Sequence, residues 1–351
     1  CWTLALLAFI RAREEGGRWW IAVGVAAGLG LLSKYAMAYW LISALLYLVA
    51  VKDERRHLKP FLGASAIALA VYAPNFVWNA VHGFVSYHHT EDNAAFHGLA
   101  FHSGHFLEFL GSQFGVFGPL LFGALLLIAA RPLRLASDWR ARFLAFFALP
   151  TLAMMLVVSI LSRAEPNWAA PTYVAATVLV VAWLLQRGWR WVAIASVALH
   201  VTAAVAILGA PAVAQAMGRE LPAEYNLLHR LHGYRALGLA VSQMMRATPD
   251  AVLCGNDRET MAELLYYVQP RPTAFLKWNG GDNRVHDGFD LEAHPERFVG
   301  RDFLLVSASK DVAPIVARFV SAGPVTHIII PIGSGREREY VVRYLKGLTG
   351  Y

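Results

Sequence analysis

The sequence predicts a polytopic α-helical membrane protein with a small α/β domain at its C-terminal end. Of its 351 residues, 57% are hydrophobic and 16% are charged, whereas a soluble globular chain has about 25% charged residues. Several apolar runs approach the roughly 20 residues that a helix needs to cross a bilayer. After residue 210 the apolar runs shorten to strand length, and predicted strands alternate with predicted helices.

The domain boundary is predicted near residue 210, with a transmembrane domain over 1–210 and a soluble domain over 211–351. Because the apolar run Cys1–Ile10 is too short to span a bilayer, we expect it to be the tail of a helix in an N-terminally truncated chain. The first part of segment 106–130, His105–Gln113, is expected to lie along the interface before the chain turns inward at Gly115–Pro119. The complete apolar segments are 19–33, 35–51, 61–78, 106–130, 143–161, 168–186 and 191–210.

Basic residues alternate sharply between the segments that connect the predicted spans. One set of connections holds nearly all of them, and the other set holds only Lys34 and Arg163. The positive-inside rule places the richer set in the cytoplasm. Seven crossings then place the C-terminal domain in the periplasm, outside a bacterial inner membrane. The richer set comprises 13 residues: Arg11, Arg13, Arg18, Lys52, Arg55, Arg56, Lys59, Arg131, Arg134, Arg140, Arg142, Arg187 and Arg190.

The formal net charge of +7 comes mainly from the membrane part. Residues 1–210 hold 15 Lys and Arg against 9 Asp and Glu, whereas residues 211–351 hold 16 against 15. Because charge in the connections between membrane helices sets topology, this excess predicts membrane lipids and no nucleic acid as partners. The two cysteines, Cys1 and Cys254, fall in different domains, so no internal disulfide is expected.

The soluble domain is predicted from strand-length apolar runs that alternate with helical patterns. Helices are predicted around His232–Arg246, Arg258–Val268 and Asp311–Phe319, and a loop over Trp278–His294. Strands are predicted at Ala251–Cys254, Thr273–Leu276, Phe303–Val306, Val325–Ile330 and Tyr340–Leu345.

Polar residues gather where the predicted spans reach the outer face. Ser33-Lys34-Tyr35 follows one span, His82 lies in a predicted loop over 79–105, and Arg163-Ala164-Glu165-Pro166-Asn167 forms a tight turn. Lys34 and Arg163 are the two cations on this side, and a phosphate at headgroup level requires such groups. Two alternatives stay open: Lys34 as a snorkelling anchor, and Arg163 with Glu165 as a local ion pair of small energy.

The predicted loop 79–105 holds six of the thirteen histidines: His82, His88, His89, His97, His102 and His105. A zinc site needs three or four converging ligands, and these spacings match no zinc motif. Histidines that bind a sugar or phosphate, or that lie at the interface, explain the pattern better. We therefore expect neither a metal nor another cofactor.

Gly24 and Gly28 form a GxxxG pattern within the first complete apolar segment. Small residues four apart let the backbones of two membrane helices approach closely. The pattern predicts tight helix packing and no direct part in chemistry.

Three motifs stand out on the predicted outer face: Gly28-Leu29-Gly30-Leu31-Leu32-Ser33-Lys34-Tyr35, then Pro74-Asn75-Phe76-Val77-Trp78-Asn79 with His82-Gly83-Phe84-Val85-Ser86-Tyr87, and Glu165-Pro166-Asn167-Trp168-Ala169-Ala170-Pro171-Thr172-Tyr173. Together they resemble the bacterial family 39 glycosyltransferases. These are relatives of the protein O-mannosyltransferases and of the aminoarabinose transferase that modifies lipid A, in the GT-C superfamily. Asp257-Arg258 ahead of Ala262–Tyr267 also resembles their periplasmic tail domain, so the resemblance covers nearly the whole chain.

The resemblance implies a GT-C-like fold and a transfer reaction at the outer leaflet. The donor would be a polyprenyl-phosphate-linked sugar, and the acceptor a hydroxyl of a lipid, a glycan or a protein. A carboxylate would act as general base; the family's aspartate lies in an early outer loop that no part of this chain matches, so it is expected upstream of residue 1. From their placement, we expect substrate binding by Lys34, Tyr35, His82, Arg163, Glu165 and Asn167.

Two other classes of function remain as alternatives. A transporter or flippase of a lipid-linked or polar substrate should carry polar or charged groups at mid-membrane depth, whereas the spans here carry almost no charge away from their ends. A sensor or scaffold could use residues 211–351 to bind partners. An outer cavity open to lipid would favour the enzyme, and a continuous polar path would favour the transporter.

Overall fold

A computed structural model describes residues 1–94, 101–131, 138–219, 221–222, 225–280, 285–333 and 335–350. The chain divides into two compact units, Cys1–Val201 and Thr202–Tyr351. The first, termed the helical unit, is entirely helical where it is described. The second, termed the sheet unit, is built around one mixed β-sheet.

The helical unit follows the predicted apolar segments closely. Short 3₁₀ helices lie at Lys52–His57, before α4, and at Pro166–Thr172, before α9. Helix α10 contains the boundary between the two units. The α-helices are α1 (Trp2–Glu15), α2 (Arg18–Ser33), α3 (Met37–Ala50), α4 (Leu58–Val81), α5 (Val85–Ala94), α6 (Ser103–Val116), α7 (Pro119–Ala129), α8 (Trp139–Leu161), α9 (Tyr173–Gln186) and α10 (Arg190–Ala216).

Helix lengths confirm a polytopic membrane protein. Among the described residues, four helical stretches are long and apolar enough to cross a bilayer, and a fifth crossing is possible if α6 and α7 form one broken span. Helices α2 and α3 are apolar but shorter, as the sequence predicted. The four long stretches are Lys52–Val81, Trp139–Leu161, Pro166–Gln186 and Arg190–Ala216.

The predicted segment 106–130 is broken, and the break falls where the sequence placed it. Helices α6 and α7 meet at an angle of 118°. Between them Gly118 has a φ of 86°, and a Cβ built there would overlap the imidazole of His200 in α10. Glycine tolerates both the positive φ and the close approach. Only glycine therefore fits this corner without displacing His200.

Helices α2 and α4 cross through small residues, which confirms the packing predicted from Gly24 and Gly28. A Cβ on Gly24 would lie 2.5 Å from the Ala64 carbonyl oxygen, and one on Gly28 would lie 2.6 Å from the Val71 Cβ. The contacts advance along both helices in the same sense, so α2 and α4 run parallel. Their C-terminal ends, and the motifs there, consequently lie side by side.

Helix α1 supplies the centre of the helical core. Phe9 is fully buried, and its ring lies 5.6–6.3 Å from six other aromatic rings. Edge-to-face pairs at such distances add to the burial of apolar area. The six partners are Trp20, Trp40, Tyr47, Phe61, Phe143 and Phe147.

One ion pair ties α1 to the connection before α4. The Arg13 Nε and Nη2 atoms donate to Glu54 at 2.7 and 2.5 Å, and both side chains are nearly buried. The Arg13 guanidinium also lies over the Trp139 ring, 4.3 Å from its centroid. Such a two-point pair fixes geometry more firmly than a single contact. It lies at the end of the helical unit that carries the described residues of the richer basic set, termed the basic end; Arg134 lies outside the described residues.

The sheet unit contains a six-stranded mixed sheet in the order β2-β1-β3-β6-β4, with β5 also paired to β6. Strand β1 is parallel to β2 and β3, whereas β6 is antiparallel to its neighbours. The strands are β1 (Val252–Gly255), β2 (Phe275–Lys277), β3 (Phe303–Ser307), β4 (Phe319–Ala322), β5 (Thr326–Gly333) and β6 (Arg336–Leu348). The α-helices are α11 (Tyr234–Ala247), α12 (Arg258–Tyr267), α13 (Gly288–Glu292) and α14 (Ala313–Val316).

Both faces of this sheet are covered. Leu253 and Leu304 pack with Leu237 of α11 and Leu264 of α12 in one apolar cluster. The alternate strand residues, including Cys254, pack on the opposite face in a second cluster. Burial on both faces explains why β1 and β3 are continuous apolar runs without polar alternation.

Three sequence predictions of secondary structure are wrong, and one of them is the loop Trp278–His294, which contains α13. The predicted helix Asp311–Phe319 is helical only at Ala313–Val316, and Phe319 begins β4. The reason is tertiary: the Phe319 ring packs 5.1 Å from that of Phe303, and its backbone pairs with Leu348. Most of the predicted loop 79–105 is also helical where it is described.

Replacing Gly28 by alanine should destabilise the helical unit by about 1–3 kcal/mol, because the new methyl group overlaps α4. Gly63→Ala is the matched control, since Gly63 lies in α4 and its Cβ would meet open space. Higher helix propensity should make that control neutral or stabilising by about 1 kcal/mol. Thermal unfolding of the purified protein in detergent tests both variants, and equal melting temperatures would contradict the α2–α4 crossing.

Candidate functional site

The first motif lies where α2 ends. Lys34 has an extended backbone (φ −162°, ψ 131°), and its N–H donates to the Gly30 carbonyl at 2.9 Å. The Lys34 side chain is exposed and forms no ion pair with any residue that the structure describes. A cation at a helix end is thus left available for a ligand.

Tyr35 joins the first motif to the second. Its ring stacks on that of Tyr87, with centroids 5.3 Å apart and planes within 6°. The Tyr35 hydroxyl donates to the Asn75 Oδ1 atom at 3.3 Å, and the hydroxyls of Tyr72 and Tyr87 lie 2.5 Å apart. These contacts join the ends of α2 and α4 to α5. We term Tyr35, Tyr72, Asn75, Asn79 and Tyr87 the tyrosine–asparagine cluster.

Asn79 is the fully buried member of this cluster. Its Nδ2 atom donates to the Asn75 carbonyl at 3.0 Å and to the Asn75 Oδ1 at 3.1 Å. Its Oδ1 atom accepts the Ser86 N–H at 3.2 Å, and its carbonyl accepts the Phe84 N–H at 2.7 Å. One amide therefore joins the last turn of α4 to the first turn of α5.

A sharp reversal separates the two helices. Gly83 and Phe84 have φ values of 66° and 57°, and a positive φ is unfavourable for a bulky residue such as phenylalanine. The Asn79 contact and the packing of Phe84 on Phe76, with ring centroids 6.0 Å apart, hold this conformation. The turn brings Tyr87 back over Tyr35.

His82 packs against its own helix. Its ring stacks on Trp78 with centroids 4.2 Å apart, and its Nδ1 atom lies 2.7 Å from the Trp78 carbonyl oxygen. Because a carbonyl only accepts hydrogen bonds, this geometry requires the hydrogen on Nδ1, and in the neutral imidazole Nε2 is then an acceptor. His82 is exposed, so Nε2 is accessible to a donor such as a sugar hydroxyl.

The third motif forms its own local ion pair. The Arg163 Nε atom lies 3.4 Å from the Glu165 Oε1 atom, and the two side chains are 68% and 50% exposed. An exposed pair of this kind contributes about 0–1 kcal/mol. Asn167 is also exposed, so all three side chains remain accessible. The ion pair that the sequence left open is therefore present.

Gln113 supports this turn, and the sequence analysis missed it. It is fully buried; its Nε2 atom donates to the Pro166 carbonyl at 3.3 Å, and its Oε1 atom accepts the Tyr173 hydroxyl at 2.6 Å. The Tyr173 ring stacks on Phe117 at 4.2 Å. The sequence did contain a signal for this role, because Gln113 is a polar residue within the predicted apolar segment 106–130.

The first two motifs thus form one cluster, and the third forms a separate turn. Among the described residues, no hydrogen bond, ion pair or ring contact joins the tyrosine–asparagine cluster to the turn of Arg163, Glu165 and Asn167. The substrate-binding roles expected for Lys34, Tyr35, His82 and these three residues stay predictions.

The histidines after α4 do not converge where they are described. His88 lies 3.5 Å from Glu91 on the exposed side of α5, and the rings of His102 and His105 are 4.9 Å apart. In the described part of the chain, no three His, Cys, Asp or Glu residues are grouped closely enough to hold a metal ion. His97 lies outside the described residues.

The sheet unit contains one nearly buried charge cluster. The Lys277 ammonium lies 2.8 Å from both the Asp287 and the Asp290 carboxylates. Burial alone lowers the pKa of Lys277, but the hydrogen bonds and charges of the two carboxylates outweigh it and raise that pKa above its usual value. Because both partners are satisfied and α13 is held against β2, the cluster has a structural role.

Two further groups of the sheet unit have perturbed pKa values without catalytic geometry. Burial raises the pKa of the Cys254 thiol to about 12, so it is protonated and unreactive at neutral pH. The Tyr344 hydroxyl and the Gly347 N–H donate to Asp302 and hold the pKa of that carboxyl below its usual range. Asp302 thereby joins the start of β3 to the end of β6.

Comparison with known proteins agrees with the motifs. Residues 1–78 match the family described as dolichyl-phosphate-mannose-protein mannosyltransferase, a range that includes Lys34, Tyr35 and Asn75. Over 169 residues the chain is 33% identical to the lipid A galacturonosyltransferase RgtD of Rhizobium johnstonii. That match covers 48% of this chain and 36% of the relative.

The chain therefore spans about a third of the length of the curated relative that it matches. No solved structure matches the chain. The two matches confirm the predicted resemblance to GT-C membrane glycosyltransferases, and with the helical architecture they confirm the predicted fold class.

Asn79→Ala should separate α4 from α5, because it leaves the half-buried Ser86 N–H without its acceptor. The expected cost is about 1–3 kcal/mol, together with faster hydrogen exchange in residues 82–90. The control Asn167→Ala removes an exposed amide and should stay within about 0.5 kcal/mol of the parent protein. Thermal unfolding and hydrogen exchange measure these effects, and unchanged exchange in Asn79→Ala would refute the structural role of Asn79.

Proposed function

We propose that this protein is a membrane glycosyltransferase that moves a sugar from a polyprenyl-phosphate carrier to an acceptor hydroxyl at the outer face of the inner membrane. The observation that carries the proposal is the meeting of two motifs at the parallel ends of α2 and α4. There the exposed, unpaired Lys34 lies next in sequence to the hydrogen-bonded tyrosine–asparagine cluster. The matches to glycosyltransferases support the same reaction class.

Lys34 is assigned to the phosphate of the donor. When the glycosidic bond breaks, negative charge grows on the departing polyprenyl phosphate, and a preorganised cation stabilises that charge. Its position at a helix end suits a phosphate at headgroup level, since a lysine there extends along the apolar surface with its ammonium in the polar layer. No described carboxylate competes for this ammonium.

The sugar is assigned to the polar groups around Lys34. Tyr35 and the His82 Nε2 atom offer hydrogen-bonding groups to hydroxyls, and hydrogen bonds fixed in advance orient a reacting sugar better than mobile ones. Arg163, Glu165 and Asn167 are assigned to the same substrate from the neighbouring turn. In this assignment, the turn of Arg163, Glu165 and Asn167 and the tyrosine–asparagine cluster both contact the same donor molecule.

Charge distribution supports the proposed orientation. The 13 basic residues mark the cytoplasmic face under the positive-inside rule, so the ends that carry Lys34, His82 and Arg163 face the periplasm, as does the sheet unit. The acceptor is proposed to be a lipid, a glycan or a protein, and the name of the Rhizobium relative favours lipid A among these. The general base remains the predicted aspartate, which no position of this chain matches.

The transporter alternative receives no support from the helical unit. Of its described residues, the only buried charged one is Glu54, which pairs with Arg13 at the basic end. A transport path would place such groups near mid-membrane depth. Most charged side chains of the helical unit instead lie near helix ends or between helices.

A direct assay follows transfer from radiolabelled polyprenyl-phosphate sugars in membranes that contain the full-length protein. Lys34→Ala should lower the transfer rate by about 100-fold, the order expected for loss of one electrostatic contact to a developing anion. Label in the lipid, glycan and protein fractions identifies the acceptor class.

Lys52→Ala is the matched control because it removes an exposed lysine at the basic end and should leave transfer unchanged. Lys34→Arg keeps the charge and should recover part of the rate. Equal rates for the Lys34→Ala variant and the parent protein would exclude the role of Lys34. Absence of transfer from every donor, with folded and abundant protein, would reject the glycosyltransferase proposal.

A further inference from the structure

A cavity of about 280 Å³ lies at the basic end of the helical unit, between the ends of α7, α8 and α9. Its lining residues of α7 and α9 lie towards the ends of those helices that are remote from the Glu165–Tyr173 motif, and the cavity has no part in the proposed transfer. Apolar side chains form most of its wall: Leu127 of α7, Leu144 of α8, and Val178 and Leu179 of α9. We term it the basic-end cavity.

The basic-end cavity is open to lipid on one side. Leu127 and Val178 line it and are 49% and 56% exposed. In a membrane helix such exposed apolar residues face acyl chains, since no water reaches that depth. A ligand that enters from this side must itself be apolar over part of its length.

Two arginines line the polar part of the cavity. Arg131 follows the end of α7, and Arg140 lies in the first turn of α8. Both are exposed, and neither forms an ion pair with a described carboxylate. Guanidinium groups bind phosphate through paired N–H donors.

One carboxylate, that of Asp138, also lines the cavity, and it already accepts a backbone hydrogen bond. The Asp138 Oδ1 atom accepts the Arg140 backbone N–H at 2.9 Å and so caps α8. Among the described lining residues, two guanidinium groups and one carboxylate give a formal charge of +1, and Arg187 adds a further positive charge beside Trp183. This net positive charge favours an anionic headgroup.

Trp183 completes the rim on α9. The guanidinium of Arg187 lies over the Trp183 ring, 4.4 Å from its centroid. The Trp183 and Trp189 rings pack edge to face, with centroids 5.7 Å apart. Tryptophan is typical of the headgroup level of a membrane. The rim therefore lies at the boundary between acyl chains and water.

We propose that the basic-end cavity binds one anionic glycerophospholipid. Its phosphodiester lies between Arg131 and Arg140 at the level of Trp183, and one acyl chain follows Leu127 and Val178. Basic pockets between membrane helices on the cytoplasmic side are suited to anionic headgroups. A zwitterionic lipid fits less well, because its ammonium adds positive charge to a rim that is already positive. A soluble anion also fits less well, because it has no acyl chain to cover the apolar wall of the cavity.

The test is native mass spectrometry of the full-length protein with equal amounts of dioleoyl-phosphatidylglycerol and dioleoyl-phosphatidylethanolamine. The parent protein should retain phosphatidylglycerol preferentially. The double variant Arg131→Gln/Arg140→Gln should lower that retention by about tenfold, the order expected for two charge-assisted contacts. Lys52→Gln/Lys59→Gln removes the same charge from the basic end outside the cavity and should retain phosphatidylglycerol like the parent.

A second variant keeps the test decisive if the double arginine variant does not fold. Val178→Trp places a bulky ring at the lipid-facing side without changing charge, and it should also lower retention of phosphatidylglycerol. Three outcomes would each overturn the proposal: equal retention of the two lipids, an equal loss in the lysine control, or unchanged retention in both cavity variants. None of these outcomes bears on transfer at Lys34.

Discussion

The close crossing of α2 and α4 is the constraint on which the candidate site depends. Gly24 and Gly28 offer no side chain, so the backbone of α2 lies against Ala64, Ala68 and Val71 of α4. Because the two helices run parallel in such contact, the end of α2 lies beside Asn75 in the last two turns of α4. This brings the Lys34-Tyr35 motif next to the Asn75–Asn79 motif. Sequence elements 40 residues apart thereby become one hydrogen-bonded cluster.

The two ends of the helical unit differ in how they use charge. At the basic end the cations are numerous, and Arg13 is neutralised by a nearly buried carboxylate and an indole ring. At the other end the cations are few, and Lys34 has no described partner. A lone cation beside aligned hydroxyl and amide groups suits a phosphorylated sugar, whereas a crowd of arginines around an apolar cavity suits a lipid. We therefore propose that different helices of one unit provide two ligand sites, one at the ends of α2 and α4 and the other between α7, α8 and α9.

Much of this arrangement is predictable from sequence because it rests on local patterns. Apolar length predicted the spans and the break near Gly118, and the GxxxG pattern predicted the packing of Gly24 and Gly28. The misses share one cause, which is dependence on distant residues. Phe319 is a strand residue because Phe303 and Leu348 lie beside it, α5 is held by Asn79, and Gln113 acts through Pro166 and Tyr173. Spacing along the chain gives no sign of such partners.

The central claim is that the Lys34 end of α2 holds the phosphate of a lipid-linked sugar. The most direct measurement is a structure of the full-length protein in lipid nanodiscs with a non-hydrolysable polyprenyl-phosphonate sugar bound. The account predicts phosphonate oxygens within about 4 Å of the Lys34 Nζ atom, with the sugar against Tyr35 and His82. A phosphonate bound elsewhere, with Lys34 still free, would contradict it.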